Sequence, residues 1–128
     1  MIQFLKLIFN ISVLLLIFFS LFPGSIIGLL LHEDITHDPT SNLLFIGFNH
    51  FIAYFYVGLL AFFLYLKNKN LKKIIYFLLF LSVILETLQY IIPNRAFEIS
   101  DLVSNILGVL VAYLVLKIYL LFKNYEQI

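Results

Sequence analysis

The sequence predicts an all-α polytopic membrane protein with four transmembrane helices. Of its 128 residues, 63% are hydrophobic and only 12% are charged, and the mean hydropathy is +1.08. This composition leaves too little polar surface for a chain of this length to dissolve in water. Long apolar runs fill most of the chain, and a helix needs roughly 20 apolar residues to cross a hydrocarbon core about 30 Å thick. We therefore predict one integral membrane domain that covers residues 1–128.

The first predicted helix covers residues 4–22 and ends before Pro23 and Gly24, which both break helices. An alternative is a signal peptide, because Lys6 precedes the apolar core. The segment SLFPGS that follows this core is a poor cleavage site, so we predict a first helix that stays attached.

The other three predicted helices are also apolar runs, and each is bounded by polar or helix-breaking residues. The second covers residues 43–66 and stops at the basic segment KNKNLKK. The third covers residues 71–92 and stops at Pro93, and the fourth covers residues 99–122.

Basic residues predict the orientation, because Lys and Arg in short loops are held on the cytoplasmic side of a membrane. Seven of them fall on one side of the predicted bundle: Lys6, Lys67, Lys69, Lys72, Lys73, Lys117 and Lys123. Arg95 lies on the opposite side, together with Glu33, Asp34, Asp38, Glu98 and Asp101. We therefore predict cytoplasmic termini in a multi-pass protein of the inner (cytoplasmic) membrane.

Polar residues gather at the outward end of three of the four predicted helices. Helical spacing of about 100° per residue places each pair on one face of its helix: His50 with Tyr54, Glu86 with Gln89, and Asp101 with Asn105. A polar group that faces lipid without a partner costs several kcal/mol, so these faces are predicted to point at one another. Together with Arg95, these residues form a candidate ligand-binding site.

Small residues recur every four positions along the fourth helix, at Ser104, Gly108 and Ala112. Such a stripe allows neighbouring helices to approach closely, so we predict a packing role for these three positions.

Several polar residues also have a purely structural interpretation. Asp101 with Ser100 is typical of a helix N-terminal cap, and Asn105 or His50 alone is typical of a hydrogen bond between helices. Arg95 alone fits an ordinary loop cation at the level of the lipid headgroups. Glu86 is harder to explain in this way, because an acidic residue inside an apolar helix is a candidate site residue by default.

The spacing of these residues resembles a known family. The pattern Glu86, Gln89, Arg95, Asp101, Asn105, Gly108 and the segment HFIAYFYVGLL that starts at His50 are similar to the motifs of VanZ-like membrane proteins. The resemblance covers about residues 43–112. It implies a small four-helix bacterial membrane protein, and some members of the family are linked to resistance against the glycopeptide teicoplanin.

Three functions are compatible with this resemblance and with the residues. The first is binding or modulating a lipid-linked envelope precursor or a teicoplanin-type glycopeptide at the outer leaflet, with Arg95 on a phosphate or carboxylate. The second is a structural lock between helices 3 and 4, with the function on an interaction surface elsewhere. The third is catalysis on a lipid phosphate with His50 and nearby carboxylates as acid and base, or transport by a dimer. Whether the protein is an enzyme stays open at this stage, because the sequence contains no nucleophile motif to complete such a site.

No cofactor, metal or nucleic acid is predicted. The chain has no Cys, which removes thiolate metal sites and a Cys nucleophile. The segment 29–42 contains two His and three acidic residues, but acidic loops of this kind are usually solvated rather than metal-binding. The predicted partners are the lipid bilayer and the envelope ligand.

Overall fold

The computed structural model describes residues 2–24, 30, 33, 34, 36, 47–66 and 70–125, without the side chains of 124 and 125. Four helices make up this part of the chain: α1 (Ile2–Leu21), α2 (Phe48–Tyr65), α3 (Leu71–Gln89) and α4 (Ile99–Tyr125). The described residues contain no strand. The all-α prediction is therefore confirmed for the described part of the chain.

Helix α1 ends at Leu21, two residues before Pro23, as the breaking residues predict. Gly24 follows in the left-handed region with φ of 97°, a conformation that glycine adopts without steric cost. Only Phe9 of this helix is buried, so α1 lies at the edge of the bundle.

Helix α2 begins at Phe48, later than the predicted residue 43. Gly47 precedes it with a non-helical ψ of 83°, so the helix cannot run continuously through this residue. Residues 43–46 lie outside the described part of the chain, as do Lys67 and Lys69 of the basic segment after α2.

Helix α3 ends at Gln89, three residues before the predicted end at 92. The N–H groups of Tyr90, Ile91 and Ile92 bond to carbonyls three residues earlier, which is the tightened pattern of a helix terminus. The difference arises because Pro93 disfavours a helical conformation in the residue before it. Asn94 then turns the chain with φ of 59°.

Helix α4 begins at Ile99 and continues to Tyr125, three residues beyond the predicted 122. Its first turn starts from Glu98, whose carbonyl accepts hydrogen bonds from the N–H groups of Asp101 and Leu102. Glu98 thus occupies the position before the helix, and Asp101 lies within the first turn, where a carboxylate still complements the helix dipole.

Helices α2 and α3 each contact all three other helices, and the most extensive packing in the bundle is that of α2 on α4. The buried apolar core contains residues from all four helices: Phe9, Tyr54, Val57, Ala61, Phe62, Leu78, Val109, Ala112 and Leu116. Large apolar side chains cover the outward faces instead, for example Phe63, Phe80 and Leu114, which are more than half exposed. Apolar residues on both the inner and outer faces are typical of a bundle surrounded by lipid.

Three helices are long and apolar enough to cross a membrane: α1, α2 and the part of α4 from Ile99 to Lys123. This count concerns length and composition within the described residues. Helix α3 has only 19 residues, so Lys72, Lys73 and Glu86 all fall within any 18-residue stretch of it, whereas the longer α4 contains stretches with fewer charges.

Helices α2 and α4 approach closely where Gly58 faces Ala112. A Cβ atom added at Gly58 would lie 2.9 Å from the Ala112 Cβ, and its next neighbour, the Val109 Cα, would be 3.7 Å away. The steric conflict would therefore involve a single methyl group on α4.

We expect Gly58→Ala to lower the free energy of unfolding by about 1 kcal/mol, because overpacking outweighs the gain in helix propensity. Adding Ala112→Gly to this variant should restore stability to within about 0.5 kcal/mol, because it removes the opposing methyl group. Unfolding in mixed detergent micelles measures both effects. A double variant less stable than Gly58→Ala would show that these two positions do not oppose each other.

Candidate functional site

The predicted site residues lie at one end of the bundle, where α1 and α3 end and α2 and α4 begin. This end, called here the polar end, contains the loop between α3 and α4 as well. The opposite end contains Lys6, Lys72, Lys73 and Lys123. The antiparallel order of the helices thus separates the acidic residues from the lysines.

His50 joins α2 to α4 at the polar end. Its Nε2 lies 3.3 Å from Asp101 Oδ2, and its Nδ1 lies 3.2 Å from Asn105 Oδ1. Asp101 and Asn105 are four residues apart on α4, so a single imidazole ring reaches both. The His50 and Asp101 side chains are 20% and 19% exposed, so this pair is accessible from the surrounding medium.

The two contacts of His50 are compatible with two protonation states. The imidazolium donates one hydrogen bond to Asp101 and one to the Asn105 carbonyl oxygen. The neutral ring with hydrogen on Nε2 still donates to Asp101, and it accepts at Nδ1 when the Asn105 amide is rotated to present its NH2 group. Both hydrogen-bonding arrangements keep the contacts of the ring with Asp101 and Asn105.

Glu86 of α3 is fully buried behind this pair. Its Oε1 accepts a hydrogen bond of 3.2 Å from the Glu98 backbone N–H, which connects α3 to the start of α4. Its Oε2 is also buried and has no hydrogen-bond partner among the described residues. Glu86 interacts electrostatically with both His50 and Asp101, so the three side chains belong to one cluster.

Tyr54 lies one turn along α2 from His50 and is 2% exposed. Its hydroxyl group is buried and, within the described residues, has no hydrogen-bond partner. Tyr54 and Glu86 are close enough to interact electrostatically. Two unsatisfied polar groups thus lie in the same buried region, although buried polar atoms are paired in the great majority of cases.

Gln89 and Arg95 point elsewhere, toward the end of α1. The Gln89 side-chain amide donates to Ser20 Oγ at 3.2 Å. Arg95 donates from Nε to the Phe22 carbonyl at 3.0 Å and from Nη2 to the Phe19 carbonyl at 3.1 Å. A cation at this position satisfies the free carbonyls of a helix C-terminus and complements its dipole.

The structure therefore divides the predicted site residues into two groups. The acidic group, formed by His50, Tyr54, Glu86, Asp101 and Asn105, lies between α2, α3 and α4. The α1 anchor, formed by Gln89 and Arg95, contacts the end of α1.

The predicted packing residues lie along α4 beside the acidic group. Ser104 and Ala112 are fully buried, and Gly108 lies directly against the α2 backbone. The Ser104 hydroxyl donates to the Ser100 carbonyl of its own helix at 2.7 Å, so it does not bond to the cluster.

The acidic group has more hydrogen-bond acceptors than donors. Glu86 and Asp101 bring two carboxyl groups, whereas His50 is the single basic side chain among the five. Such a group is suited to a partner that donates hydrogen bonds, such as a hydroxyl, amide or ammonium group. Within the described ranges no group of three or more His, Cys, Asp or Glu residues has the geometry to hold a metal ion.

Sequence reasoning missed four contributors to the polar end. Ser20 receives the Gln89 amide, the Phe19 and Phe22 carbonyls receive Arg95, and Glu98 bonds to Glu86 through its backbone. Backbone groups carry no side-chain signal in a sequence, so only Ser20, a hydroxyl residue at the end of an apolar run, could have been noticed.

Gly47 also contributes, because a Cβ atom added there would overlap the Asp101 Oδ1. The small residue before α2 thus leaves room for Asp101 beside His50. Of the acidic segment 29–42, His32, His37 and Asp38 lie outside the described residues, and Glu33 and Asp34 are exposed.

Comparisons with curated proteins and with solved structures return no match. A protein-family model described as VanZ/LLP1 matches residues 3–122 of the 128, which confirms the resemblance seen in the polar motif. The match includes all four helices up to Phe122. The chain belongs to the VanZ/LLP1 family.

Proposed function

We propose that this protein crosses the bacterial cytoplasmic membrane four times and binds an envelope ligand at its polar end. The ligand is a lipid-linked envelope precursor or a teicoplanin-type glycopeptide in the outer leaflet. The acidic group receives the polar part of the ligand, and both termini lie in the cytoplasm.

The distribution of charge supports this orientation. Lys6 lies in the second turn of α1, Lys72 and Lys73 lie in the first turn of α3, and Lys117 and Lys123 lie in the last part of α4. All five therefore lie toward the end of the bundle that the positive-inside rule assigns to the cytoplasm. Arg95 is at the opposite end, with its charge directed at backbone carbonyls.

The burial pattern supports α3 as the fourth crossing. Lys72 and Lys73 lie in its first turn and are exposed, so their long side chains can extend to the lipid headgroups. Glu86, its third charged residue, is fully buried inside the bundle and does not face lipid. The composition of α3 is thus compatible with a helix that is packed among three others.

The observation that carries the binding proposal is a pair of unsatisfied buried groups next to a partly exposed His–Asp pair. Glu86 Oε2 and the Tyr54 hydroxyl are buried without a partner among the described residues, next to the partly exposed His50 and Asp101. An unsatisfied buried polar group costs about 1–3 kcal/mol. A ligand that donates hydrogen bonds to this region would remove that cost, which favours recognition over a closed structural contact.

The chemistry of the acidic group indicates which part of the ligand it receives. Its acceptor oxygens fit the hydroxyl and amide groups of a sugar or peptide better than they fit a phosphate. Arg95 is the cation at this end, so a phosphate or carboxylate of the same ligand would be bound there instead.

A binding assay in lipid nanodiscs tests this proposal with two probes, a fluorescent teicoplanin and a labelled lipid-linked cell-wall precursor. We expect His50→Ala and Asp101→Asn each to weaken binding of the recognised probe about tenfold, the effect of losing one hydrogen bond to a charged group. The free energy of unfolding should fall by about 1–3 kcal/mol in His50→Ala, which leaves the buried Asn105 without this hydrogen bond, and by less in Asp101→Asn, so the affinity is the deciding measurement.

The matched control is Tyr90→Phe, which removes a hydroxyl group at the same end from a residue that is 80% exposed. The affinity of the Tyr90→Phe variant for both probes should equal that of the unsubstituted protein. Unchanged affinity in both His50→Ala and Glu86→Gln, accompanied by lower thermal stability, would contradict the binding proposal.

That contradicting result would favour a second candidate, a structural lock. Specific contacts support it: Gln89 and Arg95 hold α1, and Glu86 holds the start of α4 through Glu98. In this case the polar residues stabilise the bundle, and the function belongs to another surface.

A further inference from the structure

An open groove runs between α1 and α2 on the lipid-facing side of the bundle. Its α1 wall consists of Ser12, Leu15, Leu16 and Phe19. These positions follow the spacing of one helix face, so they form a continuous strip over two turns. Phe19, near the end of α1, lies at the polar end of this strip.

The α2 wall consists of Ala53, Tyr56 and Val57, again on one helix face. The groove has a volume of about 200 Å³, and its lining is almost wholly apolar. Ala53 is the smallest residue in this wall, and it lies one turn from His50. The groove therefore extends from the middle of α2 toward the polar end.

Arg95 is not one of the lining residues, but it contacts the residue at the polar end of the groove. Its Nη2 donates to the carbonyl of Phe19, which is one of the wall residues. The contacts to Phe19 and Phe22 use Nη2 and Nε, and among the described residues no contact engages Nη1. The apolar groove thus ends at Phe19, whose carbonyl is bonded to a guanidinium group that can still donate to an anion.

We propose that this groove binds the acyl chain of an anionic phospholipid or of a similar phosphate-bearing lipid, with the phosphate at Arg95. The occupant follows from the combination of an apolar groove open to the bilayer and a cation at its headgroup end. This inference deepens the proposed function and depends on it for the orientation that places Arg95 at the outer headgroups. In this arrangement an amphiphilic ligand contacts two surfaces of the protein. Its acyl chain binds in the groove between α1 and α2, and its hydrogen-bond donors bind to the acidic group.

Tryptophan fluorescence can test this site directly, because the sequence contains no Trp. The variant Tyr56→Trp places a reporter in the groove, called here the groove reporter. The variant Leu110→Trp places a matched reporter, the control reporter, on a lipid-facing position of α4 that is 42% exposed. The two depths are similar, because Gly108 of α4 is level with Phe51 and Phe55 of α2.

Both variants are placed in bilayers that contain a small fraction of phosphatidylglycerol or phosphatidylcholine with brominated acyl chains, which quench tryptophan on contact. At the groove reporter we expect brominated phosphatidylglycerol to quench as strongly as a lipid present at about five times its mole fraction. This factor is the effect of one basic residue on the local concentration of an anionic lipid. Brominated phosphatidylcholine should follow its mole fraction at both reporters, and the control reporter should show no enrichment of either lipid.

Three further substitutions in the Tyr56→Trp background, two at Arg95 and one at Ala53, identify the two parts of the site. Arg95→Gln should abolish the preference for phosphatidylglycerol, whereas Arg95→Lys, which retains the charge, should preserve most of it. Ala53→Leu should reduce quenching of the groove reporter, because the larger side chain fills the groove. This variant leaves the α1 anchor intact, so it still tests the site if Arg95→Gln folds poorly.

Equal quenching of the groove reporter by the two brominated lipids, in proportion to their mole fractions, would overturn this inference. That result would leave the proposed function standing, because the proposed function is measured by the loss of probe binding in His50→Ala. Loss of probe binding without phosphatidylglycerol enrichment would therefore reject the groove alone.

Discussion

Replacing Gly108 with alanine is expected to lower the free energy of unfolding by about 3 kcal/mol, the upper range for overpacking of a close helix contact. The new Cβ would lie 2.6 Å from the Phe51 carbonyl oxygen, 2.9 Å from the Phe55 nitrogen and 3.1 Å from the Tyr54 Cβ. The two nearest atoms belong to the α2 backbone, so no side chain can move aside. Helices α2 and α4 would have to separate along their whole contact.

The separation should also weaken ligand binding, because His50 on α2 must reach Asp101 and Asn105 on α4. Detergent-induced unfolding measures the first effect, and the nanodisc binding assay measures the second. The neighbouring substitution Leu107→Ala serves as the control, since Leu107 faces outward and is 37% exposed. It should lower the free energy of unfolding by only about 1 kcal/mol, because part of the Leu107 side chain still packs on its neighbours. A Gly108→Ala variant as stable as the Leu107→Ala control would contradict the close approach of these helices.

Replacing Arg95 with alanine is expected to lower the free energy of unfolding by about 2 kcal/mol, the range for losing hydrogen bonds to a charged group. The substitution removes the donors for the Phe19 and Phe22 carbonyls at the end of α1. It also removes a positive charge that complements the helix dipole. Because α1 has only one buried residue, this helix depends on such contacts more than the others do.

Thermal unfolding in detergent micelles measures this loss, and protease sensitivity within α1 shows whether that helix detaches first. Arg95→Lys keeps the charge but loses the planar arrangement of donors, so its stability should be intermediate. Gln89→Ala provides a second test, because Gln89 reaches Ser20 of the same helix. Full stability in Arg95→Ala would contradict the anchoring role and would leave Arg95 available entirely to a ligand.

Most of the helical organisation could be predicted because it depends on local properties of the chain. Apolar runs define each helix, and Pro23 and Pro93 terminate α1 and α3 through steric effects on neighbouring residues. The differences arise at ends governed by hydrogen bonds rather than by composition. Glu98 rather than Asp101 precedes α4. Helix α2 begins later than predicted, because the backbone of Gly47 is not helical.

The composition of the candidate site could be predicted only in part. Helical spacing placed His50, Asp101 and Asn105 on faces that could meet, and the structure brings these three side chains together. The same reasoning assigned Gln89 to that group, and Arg95 was added from its place in the loop between α3 and α4, whereas both reach α1 instead. Spacing along one helix specifies the direction of a side chain but not the helix that receives it.

The sequence by itself determined the class of protein, the order of the helices, the separation of charges and the family, because these depend on composition and on local spacing. The tertiary structure alone decided how the polar residues divide between the acidic group and the α1 anchor. It also decided that Glu86 Oε2 and the Tyr54 hydroxyl are buried without a partner among the described residues, and that a groove between α1 and α2 includes Phe19, whose carbonyl accepts from Arg95. These features depend on distances between helices that are far apart in the chain, and such distances follow from packing at contacts like that of Gly108 with α2.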